Sequence, residues 1–162
     1  MSSASIASAI LIAHSWLRLL VVFAALLVVI RATVGMNGRK PWTKADATGL
    51  RALVSLLDLQ LLLGLIMYVV ASPVIGGAFQ NIGAAMRNGN LRFFLVEHPF
   101  GMLVAIALAH VGSVKVRKAA DAAAKYRLAL TFVLIALIVI LVSIPWPGTP
   151  GDRPMLRFSA AQ

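Results

Sequence analysis

The chain has 162 residues, 60% of them hydrophobic and only 12% charged. That is about half the charge share of a soluble domain, so a water-facing globule and a disordered basic tail are both excluded, in line with a mean hydropathy of +0.92. The net charge of +10 would suggest nucleic acid on a soluble protein, but its placement argues otherwise, and the absence of cysteine excludes disulfides, thiolate metal sites and iron–sulfur clusters.

At this length one domain, 1–162, is expected. Four apolar runs, at about 9–30, 50–70, 93–114 and 128–144, each approach the roughly 20 residues that cross a bilayer core of about 30 Å. They are continuously apolar rather than alternating, which predicts helices and not barrel strands. Pro73, Gly76 and Gly77 close the second run; Pro145 and Pro147 close the fourth, with Trp146 at an interfacial position. The turn-rich stretch 71–92 leaves room for a short interfacial helix around 78–86. Four prolines in 145–162 predict an extended outer tail. The expected fold class is therefore all-α, a four-transmembrane-helix bundle.

The loops set its orientation. Arg31, Arg39, Lys40, Lys44 and Arg51 lie between the first two runs, and Lys115, Arg117, Lys118, Lys125 and Arg127 between the last two. The middle loop holds only Arg87 and Arg92. Short basic loops stay cytoplasmic, so both termini and the middle loop are expected on the outer, periplasmic side. The apolar start runs on for a full span without a basic leader, unlike a cleaved signal peptide. The charge then records orientation and contact with the lipid bilayer, and nucleic acid drops out as a partner.

Ionisable residues inside apolar spans are costly and mark function by default. His14 and Arg18 lie in the first run, Asp58 in the second, and Glu97, His98 and His110 in the third. His14 and His98 each sit about 7 Å below the start of their own run, so they can meet; His110 is about 18 Å deeper than His98. Two imidazoles at one depth in an apolar bundle suit the axial ligation of a b-type haem. Gly101, Ala105, Ala109 and Gly112 lie within about 60° of His98 on a helix; the stripe admits either a macrocycle or a packed helix. Arg18, one turn from His14, has two readings, a haem propionate contact or an ion pair with Glu97. Asp58 and His110 are expected as a hydrogen-bonded pair, structural or serving as a proton relay or the edge of a quinone site. Met102, one turn beyond His98, opens a His/Met copper reading.

The elements HSWLRLLVVF (14–23), LDLQLLLGLIMY (57–68), RFFLVEHPFGMLVAIALAHVG (92–112) and IPWP (144–147) resemble a family of small bacterial four-helix membrane proteins of the cytochrome B-like type. The resemblance implies a multi-pass protein of the bacterial inner membrane, with axial haem ligation falling on His14 and His98. Together these readings give an electron-transfer protein or a haem-bearing anchor subunit, working between a quinone pool and a redox partner at the outer face. It is expected as a homo-oligomer or as part of a larger complex, and not as an enzyme on its own. The alternatives are a non-catalytic assembly subunit and a copper-handling membrane protein.

Overall fold

The structure, a computed structural model, describes residues 3–71, 73–156 and 158. In chain order it contains α1 (Ser3–Asn37), α2 (Lys44–Ile66), α3 (Pro73–Gln80), α4 (Ile82–Arg87), α5 (Gly89–Arg92), α6 (His98–Lys118) and α7 (Ala122–Ser143), with π-helical turns at Met67–Ala71 and Phe93–Glu97. No strand occurs among the described residues. The helices α1, α2, α6 and α7 are long and apolar enough to cross a membrane.

All four overrun the apolar stretches at the Lys/Arg-rich end of the bundle. The reason is that a helix continues until its backbone is capped, not until its side chains turn polar. Thr43 and Asp46 form a reciprocal capping box at the start of α2, and Asp121 caps α7 through the Ala124 N–H. Asp46 does more than cap. Its buried carboxylate also accepts from Arg31 of α1 and from the Tyr126 hydroxyl of α7. The Tyr126 ring lies against Trp42 and fills the space that a side chain at Gly35 would take. One acidic group thus ties three helices together.

Around the bundle α1 packs on α2 and α7, and α6 packs on the same two, so α1 and α6 face each other diagonally. The seam between α6 and α7 is the closest. Gly101, Ala105, Ala109 and Gly112 are buried in it: a Cβ on Gly101 would collide with Ser143, and one on Gly112 with Phe132. Small residues here let two backbones approach. The most buried of the four helices is α7, which carries no ionisable group after Arg127.

The segment 71–92 forms three short helices rather than one around 78–86, held by a small cluster of Ala78, Ala85 and Leu95. Residues 145–156 are non-helical, but they do not form the extended tail expected from four prolines. They turn at 147–151 and fold back over the bundle end. Gly151 takes φ +91 with Phe93 and Pro145 at about 3 Å from any added Cβ, and its N–H donates to Asn90. Two glycine-permitted turns therefore override the polyproline tendency.

Candidate functional site

The tail-covered end of the bundle holds the two histidines expected to meet. The ring centroids of His14 and His98 are 6.3 Å apart and the rings are inclined by 71°. They come from the diagonal helices α1 and α6, and Phe93 and Phe94 flank the His98 ring.

Local sequence explains how His98 is delivered. The π-helical turn before it sends the His98 N–H to the Phe93 carbonyl, and Pro99 then has no N–H to return to Leu95. The Tyr68 hydroxyl takes that freed Leu95 carbonyl at 2.8 Å. The same logic repeats at the end of α7. Pro145 leaves the Leu141 carbonyl unclaimed, and the Trp146 indole N–H donates to it at 2.7 Å. Pro147 cannot serve Ser143, and the Ser143 carbonyl lies 2.7 Å from His98 Nδ1. A carbonyl only accepts, so in the neutral ring Nδ1 carries the proton and Nε2 keeps its lone pair. This is the outer support that a ligating imidazole usually has.

His14 is arranged differently. Its Nδ1 is buried with no hydrogen-bond partner, and so is Oε1 of Gln60, whose amide donates to the His14 carbonyl at 3.0 Å. Gly64 of α2 makes room for the ring: a Cβ there would sit 3.1 Å from Cε1 of His14. Gln60, Gly64 and Ser143 were not among the expected site residues. A glycine and an amide one turn apart in an otherwise apolar helix, and a serine ahead of Pro145, were the signals for them.

Two side chains are placed otherwise than the sequence suggested. Arg18 donates to the carbonyls of Pro154 and Met155 at 3.1 and 2.9 Å, while Glu97 is paired with Arg92 at 2.6 Å. The folded tail, which the extended reading left out, brings carbonyls to Arg18. Gly101 belongs to the α6–α7 seam and not to a cradle open to a macrocycle. Met102 is half-buried against the core one turn beyond His98. No three metal-ligating His, Asp or Glu residues converge among the described residues. Asp58 and His110 form a separate pair, Nε2 to Oδ1 at 2.7 Å, far down the bundle from His98.

No family model, curated protein or solved structure matches the chain. Two imidazole nitrogens bound to one metal at about 2.0 Å each lie at most about 4 Å apart. A centroid spacing of 6.3 Å accommodates that once part of each ring is added. One ring has its lone pair fixed on Nε2, and the other has a bare buried nitrogen. The donor set fits axial ligation. The expected contribution of Gly101 does not, because Ser143 fills the space beside it.

Proposed function

We propose that the protein is a membrane-embedded, b-type cytochrome-like electron-transfer protein or haem-bearing anchor subunit, with one haem held by His14 and His98. The observation that carries this reading is the pair of facing imidazoles, one oriented by the Ser143 carbonyl and the other with an unpartnered buried nitrogen. Leaving such a nitrogen unpaired costs about 1–3 kcal/mol, a cost that a bound metal removes. A haem bound there supplies one-electron redox chemistry. The chain's own residues orient the His98 ring, keep its Nε2 free of a proton, and surround it with the Phe93 and Phe94 rings.

The two basic loops support a reading in which the opposite end of the bundle lies in the cytoplasm. The histidine end then faces outward in a bacterial inner membrane, where a quinol and a redox partner can exchange electrons with it. The likeness of the H-S-x-L-R and E-H-x-x-x-M elements to cytochrome B-like proteins supports the same reading.

A second reading, a non-catalytic assembly subunit, has its own support. One guanidinium nitrogen of Arg18 is taken by the tail carbonyls of Pro154 and Met155, and the small-residue stripe is filled by α7. The two readings separate on one preparation. Protein expressed with haem supplied is expected to give Soret and α bands in a reduced-minus-oxidised spectrum, both lost in His14→Ala and His98→Ala. A colourless wild-type protein, or a His98→Ala variant that keeps its haem, overturns the cytochrome reading. Bound copper in place of haem, lost in Met102→Ala, would move the assignment to the His/Met alternative.

A further inference from the structure

The Asp58–His110 pair is at odds with its surroundings. Counted from the basic rows, Asp58 lies seven residues into α2 from Arg51 and His110 five residues before Lys115 on α6, or about 10 and 7 Å by helical rise. Both side chains are nevertheless about half exposed, 51% for Asp58 and 48% for His110, on the outside of the bundle. Around them the exposed surface is apolar: Leu59, Leu62, Leu103, Val111 and Val114. Ionisable groups at this depth almost always face protein or a wet cavity, because hydrocarbon solvates neither form well.

Three further observations indicate what covers them. The α2–α6 seam is the loosest of the four around the bundle, and α2 is the least buried of the long helices. The pair is the polar link across that seam. Its spare hydrogen-bonding capacity is also self-complementary. A net-neutral pair, with one proton shared between Nε2 and Oδ1, retains one N–H at Nδ1 and one carboxyl oxygen, Oδ2, with no further partner among the described residues. A two-fold axis at the seam would set each spare N–H against the other copy's spare oxygen, the reciprocal pairing that an isologous contact requires.

We propose that the α2–α6 face is the interface with a second copy of this chain, closed by a four-membered ring of Asp58 and His110 from both copies. Interhelical polar contacts of this kind are a main source of specificity between helices in lipid. The proposal stands independently of what the histidines at the other end hold.

The chain contains no cysteine, so one introduced thiol is the sole reporter. Ala107→Cys, exposed on α6 one turn before His110, is compared in native membranes with Ile135→Cys, exposed on α7. Oxidation is expected to cross-link Ala107→Cys to itself and to leave Ile135→Cys monomeric. Adding Asp58→Asn or His110→Ala to Ala107→Cys should lower the cross-linked fraction several-fold. Photobleaching of labelled wild-type protein in lipid vesicles should show two steps, which tests the interface without any substitution at the pair. Equal cross-linking at both thiols, a yield indifferent to Asp58→Asn and His110→Ala, or one-step photobleaching overturns the proposal. So does protection of the Ala107→Cys thiol by a short-chain quinone in monomeric protein, which would assign the face to a small lipid-soluble ligand.

Discussion

Replacing Asp46 by alanine tests whether one carboxylate holds the basic end of the bundle together. Asp46 accepts from the Thr43 N–H at 2.9 Å, the Thr43 hydroxyl at 2.6 Å, Arg31 at 2.8 and 2.9 Å and the Tyr126 hydroxyl at 3.0 Å. Breaking a fully buried pair costs about 3–5 kcal/mol because the abandoned charge stays buried. The Arg31 side chain is 51% exposed and can return to water, so that full penalty does not apply. Tyr126 also keeps the Pro41 carbonyl at 2.9 Å. What is lost is one charge-assisted contact, about 1.5–3 kcal/mol, together with the reciprocal half of the cap, about 1 kcal/mol. The expected loss is about 3 kcal/mol for Asp46→Ala, with Tyr126→Phe near 1 kcal/mol. Denaturant titration of detergent-solubilised protein measures both, and the Trp42 indole, 4.9 Å from the Tyr126 ring, provides a local fluorescence signal. A change within 0.5 kcal/mol of wild type, the range of ordinary surface substitutions, would refute the account.

Three further outcomes are expected. Tyr68→Phe leaves the Leu95 carbonyl without its partner and should cost about 1–3 kcal/mol; in a Pro99→Ala background, where the backbone regains an N–H, a double-mutant cycle should show that cost largely removed. Gly112→Ala forces a methyl against Phe132 in the α6–α7 seam and should destabilise by about 1–3 kcal/mol, read by the same titration. Arg18→Ala releases the tail carbonyls of Pro154 and Met155. Cleavage by chymotrypsin after Leu156 should then accelerate by about tenfold, for about 1.4 kcal/mol lost from the closed form.

The spans and the meeting of His14 with His98 were legible because both follow from helical rise and apolar length. Residues that act by spacing along a helix declare themselves in the sequence. The placement of Arg18 did not, because its acceptors are backbone carbonyls about 136 residues away, in a segment whose prolines favour extension. The turns at Gly148 and Gly151, with φ +80 and +91, decide that placement, and no periodicity encodes them. The stripe at Gly101 and Gly112 is evident in the sequence as small, but the sequence leaves its neighbour open. Only the packing of α7, with Ser143 and Phe132 against it, decides in favour of a helix. Likewise the side chains of Asp58 and His110 lay at compatible depths, but their outward exposure is a property of the bundle and not of either helix alone.

His98 of the E-H element and Ser143, just ahead of the I-P-W-P element, lie 45 residues apart and form one unit through the Ser143 carbonyl. Proline makes that carbonyl available. Pro145→Ala alone restores an N–H for Leu141 and competes with Trp146, but Pro147 still offers Ser143 nothing. In the Pro145→Ala/Pro147→Ala double variant, α7 can extend by a turn and recapture both carbonyls. His98 then loses the acceptor that fixes its proton on Nδ1. Nitrogen-15 spectra of histidine-labelled protein are expected to show the His98 ring in a single Nδ1–H tautomer in wild type and in Pro145→Ala. The double variant should show a mixture of tautomers. If a haem is bound, its affinity should fall about 10–100-fold in the double variant, the usual effect of removing a ligand's outer hydrogen bond. A double variant with an unchanged His98 signal would mean that the ring is oriented by the packing of Phe93 and Phe94, and that the prolines merely end a helix.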